Sequence, residues 1–261
     1  MGGLSRYLSI LRLFEEGRIE WTIPEIAQAL NAPGSTIYRT VREMVSQDFL
    51  EAAPDSCYRL GAFFIEFDRL VRVTDPLYTF GRALLGDVVA QARVPCVAVL
   101  ARLYGDTVMC VADFEAPAGG VKSSYERGRP RPLIHGATSK AILAQLPVRR
   151  LTKLLVGERG DKDNRAFSQS EADFRDELNT IRKCGYSITR GEVDKGLVGI
   201  AAPVNVPERA LLGSLSLVIS ANSLDATAER RLTLLVVSSA SLLAEELKLQ
   251  SISVGLRKGQ R

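Results

Sequence analysis

The chain has 261 residues, of which 46% are hydrophobic and 25% charged, and a formal net charge of +4, the balance of an ordinary soluble globular protein with one large or two modest domains. No apolar run approaches the roughly 18 residues of a membrane span, and Met1-Gly-Gly-Leu-Ser-Arg6 has no apolar signal core, so a cytoplasmic protein with no membrane partner is expected. Four scattered cysteines without a CxxC or a histidine at metal spacing point to free thiols in a reduced compartment, with no metal and no cofactor.

The first helix is predicted over Leu4 to Glu16 and ended by Gly17. Leu4, Tyr7, Leu8, Leu11 and Phe14 share one face; Ile10 and Leu13 fall beside it, as a widened buried stripe or as a contact between subunits. A second helix is predicted over Thr22 to Leu30, with Ile23, Ile26, Ala27 and Leu30 on one side and Pro24 in its first turn, where a missing N–H costs nothing. Asn31-Ala-Pro-Gly34 breaks the chain. The third helix, Ser35 to Gln47, buries Ile37, Val41, Met44 and Val45; Ser35 can cap it, unless Pro33 already lies in its first turn. Ser35, Thr36, Arg39, Glu43 and Ser46 then face outward, with Tyr38 and Arg42 on the flanks. Phe49 to Ala53, the turn Pro54-Asp55-Ser56, and Cys57 to Leu60 make a hairpin.

Helix, break, helix and hairpin make a winged helix-turn-helix over residues 1–61. The outward face suits the major groove of duplex DNA. Hydroxyls and backbone N–H groups settle on phosphate, and arginine pairs with guanine O6 and N7. The DNA-contact set is therefore Ser35, Thr36, Tyr38, Arg39 and Arg42, with Arg59 on the wing. The alternative is a three-helix packing module with a solvated arginine face. Bulk charge does not favour DNA, because residues 1–61 hold six arginines, no lysine and eight carboxylates, a balance of −2. One copy should bind poorly, and specific binding should need two.

Residues 62–75 follow as an amphipathic linker helix, with Phe63, Phe64, Phe67, Leu70 and Val71 against Glu66, Asp68, Arg69 and Arg72. Asp75-Pro76 starts a new helix with the stripe Leu77, Phe80, Leu84 and Val88. Strands are predicted at Val94–Leu103 and Thr107–Phe114, joined by Tyr104-Gly105-Asp106, and at Val121–Tyr125. A basic loop, Glu126 to Pro132, leads to helices at Ala137–Gln145 and Val148–Leu155, then an exposed loop at Gly157–Ser168. Ser170-Glu-Ala-Asp173 has capping-box spacing ahead of a helix that runs to Cys184. Strands at Tyr186–Thr189, Gly199–Val204 and Leu211–Ser220 precede a long helix, Leu224–Leu249, read mostly as core, and a flexible tail over 251–261. The fold class is α+β. Residues 76–250 read as one antiparallel sheet with helices on its faces, as in small-molecule sensor domains.

Taken in order, Ser35-Thr-Ile-Tyr-Arg39, Tyr58-Arg-Leu-Gly61, Ala137-Thr-Ser-Lys-Ala-Ile-Leu-Ala144, Glu177-Leu-x₂-Ile-Arg-x₂-Gly-Tyr186 and Glu192-x₃-Gly196-x₃-Ala-Ala-Pro-Val204 resemble the IclR family of bacterial transcription regulators over nearly the whole chain. The resemblance implies a winged-helix DNA-binding domain, a linker helix and a GAF-like effector domain. It also implies a homo-dimer or tetramer on a palindromic double-stranded DNA operator, with DNA affinity changed by a small-molecule effector. The sequence departs from the family at Asn31, in place of a turn glycine, and at Ser139, in place of a glycine before Lys140. Asn tolerates the left-handed conformation, so the turn can survive.

Carried over position by position, the family's pocket implies an effector-binding set of Ser123, Gly136, Ala137, Thr138, Ser139, Thr189, Gly199 and Ser216. The N–H groups opening the Ala137 helix can hold a carboxylate, so an anionic organic effector is expected near Gly136 to Ser139. His135, the only histidine, can donate to a ligand or cap the helix; Arg127, Arg129 and Arg131 read as a solvated loop or as an anion-gathering rim. Ser139-Lys140 is no nucleophile pair, since adjacent helical positions diverge by about 100°, and no enzyme is expected. Two alternatives stand beside the effector-controlled regulator. One is a thiol redox sensor that pairs Cys96 with Cys110; the other is a DNA-binding protein that needs no ligand, which a filled pocket would favour.

Overall fold

The computed structural model describes residues 3–15, 17–116, 120–131, 133–160 and 171–258. Two compact units divide between Thr74 and Asp75.

The first unit holds α1 (Gly3–Leu11), β1 (Trp21–Thr22), α2 (Ile23–Ala29), α3 (Gly34–Ser46), β2 (Leu50–Ala52), β3 (Cys57–Leu60) and α4 (Phe63–Thr74). Its core is Ile10, Trp21, Ile26, Ile37, Val41, Met44 and Leu50. The face of α1 differs from the sequence expectation: Ile10 is fully buried while Leu4 is 74% exposed and Leu8 is exposed. The helix also ends at Leu11, six residues before Gly17. Leu13 and Phe14 instead close tight turns back to Ile10 and Leu11. Tyr7, Ile10, Leu11 and Phe14, at steps of three and four, then turn inward.

Thr22 caps α2 in a reciprocal capping box. Its hydroxyl accepts the Glu25 N–H at 3.4 Å, and the Glu25 carboxylate accepts the Thr22 N–H at 2.9 Å. Trp21 and Thr22 also pair with Tyr58 and Cys57, so the wing is a three-stranded sheet in the order β1-β3-β2, one strand more than the hairpin expected. Asn31 holds φ +46° in the break, as expected of a residue standing in for glycine. No residue of α4 is fully buried; Phe63 stacks between Phe49 and Phe67 at 4.0 and 4.1 Å.

The second unit is a six-stranded antiparallel sheet, built from β4 (Cys96–Tyr104), β5 (Thr107–Glu115), β6 (Pro130–Arg131), β7 (Ser187–Arg190), β8 (Leu197–Val206) and β9 (Leu211–Ser220) in the order β6-β5-β4-β9-β8-β7. Alternate residues face opposite sides. Cys96, Ala98 and Leu100 of β4, with Ile200 and Leu217, pack under α5 (Pro76–Ala92) and α9 (Ala226–Lys258). The other face carries α6 (Gly136–Leu143), α7 (Val148–Gly160) and α8 (Glu171–Cys184), with Ala201 against Ala137 and Ala141.

The buried stripe of α5 is Leu77, Gly81, Leu85, Val88 and Ala92; Phe80 and Leu84 are only half-buried. Gly81 turns the helix, because a β-carbon there would stand 2.3 Å from Leu100 Cδ1. At that position the helix backbone itself lies against Leu100 of the sheet. Asp75 caps α5, accepting the Leu77 and Tyr78 N–H groups, and holds Arg102 at 2.6 Å and the Tyr104 hydroxyl at 2.7 Å. Burial and the Asp75 carboxylate push Tyr104 up to about 12.

Residues Val121–Tyr125 form no strand. The Ser124 N–H is spent on the Asp194 carboxylate and the Tyr125 N–H on the Ser123 hydroxyl, so neither joins a ladder, and Pro130–Arg131 pairs with β5 instead. The first part of the loop expected at Gly157–Ser168 is helical, since α7 runs to Gly160. The rest of that loop, and Ser170 with its cap, lie outside the described residues. The last helix continues past Leu249 to Lys258, where the sequence has no proline to stop it, so the flexible tail expected from 251 is helical up to that point.

Candidate functional site

The first candidate surface is the outward face of α3. Pro33, rather than Ser35, holds the N-cap position, with its carbonyl accepting from Thr36 and Ile37 at 2.9 and 3.1 Å. Ser35 therefore sits inside the first turn with its hydroxyl free of capping work. Ser35, Tyr38, Arg39 and Arg42 are exposed and Thr36 is half-buried. The buried Thr40 bonds back to the Thr36 carbonyl at 3.0 Å. Arg42 lies 5.9 Å from the Tyr38 ring centroid, and neither Arg39 nor Arg42 has an ion pair among the described residues.

Arg59 and Arg18, by contrast, are held. Arg59 pairs with Glu51, its cross-strand partner, which raises its pKa through the hydrogen bond and the adjacent charge. Arg18 pairs with Glu25 and lies over the Trp21 ring at 3.4 Å. The structure thus separates Arg59 from Arg39 and Arg42 by its circumstances: it points from the wing with its charge already neutralised.

The second candidate is a cavity where the first turn of α6 meets β7, β8 and the segment between them. Of the residues expected to bind an effector, Gly136, Ala137, Thr138, Thr189 and Gly199 line it. Ser123 does not; its hydroxyl is turned back to the Tyr125 N–H. Ser139 and Ser216 are fully buried behind the wall, Ser216 sharing a hydrogen bond of 3.0 Å with the Thr138 hydroxyl. The wall also includes Tyr125, Glu192, Val193, Asp194, Leu197 and Val218, which sequence reasoning missed as pocket residues. One signal was present: two acids in a short stretch between glycines that joins two strands.

The cavity is small, about 20 Å³. That is room for about one water. The small residues of the wall leave space over Gly136, and Val193 and Tyr125 fill it. A β-carbon on Gly136, whose φ is +81°, would meet Val193 Cγ2 at 2.6 Å and the Tyr125 hydroxyl at 3.1 Å.

The N–H groups expected to hold an effector are already taken. Gly136 donates to Glu192 Oε2 at 2.9 Å and Ala137 to the Thr189 hydroxyl at 3.0 Å. Lys140, buried at 4% exposure, bridges Glu192 and Glu177 at 2.7 Å each. His135 occupies the N-cap position of α6 without a side-chain cap bond and is absent from the cavity wall. Arg127 and Arg131 are no solvated rim: they are half-buried, donate to the Val111 and Ser124 carbonyls, and lie over the rings of Tyr78 and Tyr125.

The thiol pair is overturned. Cys110 stands opposite Ala101, five residues along β4 from Cys96, and the two face opposite sides of the sheet. At about 3.3 Å per residue they are far beyond disulfide reach. Burial pushes Cys96 up to about 11 and Cys110 to about 12. Neither is a reactive thiolate near neutral pH.

Residues 3–54 match the model of the IclR helix-turn-helix domain, and residues 92–244 that of the bacterial transcriptional regulator IclR C-terminal domain. A probable HTH-type transcriptional regulator, ArcR, of Halobacterium salinarum is 27% identical over 199 residues, covering 75% of this chain and 74% of that one. Among solved structures, a putative IclR transcriptional regulator from Silicibacter shares the fold with a TM-score of 0.79 at 20% identity, over 95% of this chain and 96% of that one. An IclR homolog from Microbacterium hydrocarbonoxydans, solved in complex with 4-hydroxybenzoate, has a TM-score of 0.74 at 20% identity and is covered in full by 95% of this chain.

Proposed function

Because this chain belongs to the IclR family of bacterial transcriptional regulators, we propose that it reads its operator with the outward face of α3 and answers to a small organic carboxylate at the first turn of α6. The observation that carries the DNA half is the pair Arg39 and Arg42, exposed on α3 without ion-pair partners. Arg39 is the base reader, flanked by Ser35, Thr36 and Tyr38 on phosphate. Two copies act together, as a homo-dimer or tetramer on a palindromic site. A segment with a balance of −2 has too little attraction for phosphate to hold alone.

The test is selection of genomic fragments by the purified chain, followed by sequencing. The expected result is a small set of sites sharing an inverted repeat, lost in Arg39→Ala. Recovery of no discrete site defeats the reading.

For the effector, the support is chemical. The first turn of α6 offers N–H donors and the positive end of a helix, and it already accepts a carboxylate, that of Glu192. The Microbacterium homolog binds an aromatic carboxylate, 4-hydroxybenzoate. The filled cavity favours a second reading, a regulator that needs no small molecule. Calorimetric titration with a panel of small carboxylates separates the two: heat and a changed operator affinity support the first, silence across the panel the second.

A further inference from the structure

The carboxylate seat at α6 is occupied by the chain itself. Glu192 places one oxygen 2.9 Å from the Gly136 nitrogen and the other 2.7 Å from Lys140 Nζ. Those are the donors an incoming carboxylate needs. The next residue, Val193, fills the space over Gly136. The one after it, Asp194, accepts the Ser124 N–H at 3.0 Å. Three consecutive side chains thus enter one cavity from a segment that begins and ends at Gly191 and Gly196, both at positive φ. About 20 Å³ of void remains around them.

We propose that Glu192 is a resident stand-in for the effector's carboxylate, and that the Gly191–Gly196 segment is a plug the effector must lift in order to bind. The proposal rests on the carboxylate reading of the site and deepens it.

The exchange conserves charge where charge is expensive. Lys140 is buried between Glu177 and Glu192, so removing Glu192 alone leaves a buried ammonium with half its partners. A carboxylate that enters as Glu192 leaves restores the pair and the Gly136 hydrogen bond together. A neutral ligand can return the Gly136 hydrogen bond through a carbonyl oxygen but not the charge beside Lys140, and a cationic one adds a like charge there. The site therefore selects a monoanionic carboxylate, and its apolar remainder occupies the volume that Val193 gives up. The plug also sets affinity, because a ligand that binds only the open form has its affinity reduced by the open fraction.

The test uses the full chain, benzoate as probe and benzamide as its uncharged counterpart, each titrated by calorimetry. Glu192→Ala removes the stand-in while Glu177 still partners Lys140. Glu192→Asp keeps the charge but is one methylene too short to span Lys140 and Gly136, and reads the same effect if the alanine variant folds badly. The expected result is benzoate binding about tenfold tighter or more in Glu192→Ala than in wild type, with Glu192→Asp between them and benzamide bound by none. Equal benzoate affinity in wild type and both variants overturns the plug while leaving the carboxylate seat standing. Weaker benzoate binding in the variants makes Glu192 part of the ligand site and also overturns it. Benzoate binding to none of the three defeats both the plug and the carboxylate reading.

Discussion

Arg39 and Arg59 carry the same charge in different settings. Arg39 is exposed and unpaired on α3, whereas Arg59 is neutralised across the wing by Glu51. Arg39→Ala should weaken operator binding by about 1–3 kcal/mol per half-site, the worth of a good bidentate contact to a base. Arg59→Ala should change it much less, and Glu51→Gln, which frees Arg59, should tighten it. Fluorescence anisotropy on a selected operator measures all three; a larger loss at Arg59 than at Arg39 refutes the assignment. The thiols make a second case. With Cys96 and Cys110 buried, a thiol reagent should label Cys184 quickly in the native protein and reach those two only on unfolding. Oxidant should form no bond between them. Their raised pKa values mean that the folded state favours the protonated thiol. The stability this contributes is full below the ordinary thiol value near 9 and is lost as pH rises toward about 11 for Cys96 and 12 for Cys110. Sequence showed that the two cysteines sit on adjacent strands. It did not show their offset, because register depends on the partner strand.

Elements whose limits are set by local chemistry were legible; those set by a distant partner were not. The core residues Phe174, Leu178 and Ile181 of α8 recur at steps of four and three, and they are buried as expected. In α1 the apolar positions were too many for a single face, and only packing against α2 and α3 selects Ile10 over Leu4 and Leu8. In Val121–Tyr125 a β-rich composition was outweighed by side chains that claim its N–H groups, one of them 70 residues away. Two element-scale predictions follow from caps. Thr22→Ala breaks the capping box of α2 and should destabilise the first unit by about 1 kcal/mol. Hydrogen bonds from Thr22 hold the Glu25 carboxyl below its ordinary range, so the contribution is present above the ordinary carboxylate pKa and fades as pH falls through the lowered one. Asp75→Ala leaves the start of α5 uncapped and strips Arg102 and Tyr104 of a buried partner, and should cost about 3 kcal/mol in the second unit. Urea melts of the two variants check both, and a Thr22→Ala loss well above that of Asp75→Ala contradicts the ranking.

For the whole molecule, charge is distributed against the simplest expectation of a DNA-binding protein. Residues 1–61 balance to −2, so a chain total of +4 leaves +6 on residues 62–261. Two explanations of operator binding then make different demands. If α3 alone meets the duplex, each copy brings its two arginines, Arg39 and Arg42, while Arg18 and Arg59 are neutralised in place. Two copies then contribute four arginines to the phosphates and bases. If the basic remainder also lies along the DNA, many more phosphates are neutralised. Each neutralised phosphate releases condensed counterion and steepens the fall of affinity with salt by about 0.9 in the logarithmic slope, so the first case predicts a slope near −4 or shallower and the second a slope approaching about −10. The first is expected here, with binding that strengthens cooperatively with protein concentration because one copy is too weakly attracted. Operator affinity measured between low and physiological salt distinguishes them. A steep slope, or tight binding by a single copy, moves the source of affinity from α3 to the larger unit. It also removes the reason for two copies, since it is the acidity of the reading domain, more than any feature of its helices, that makes pairing necessary.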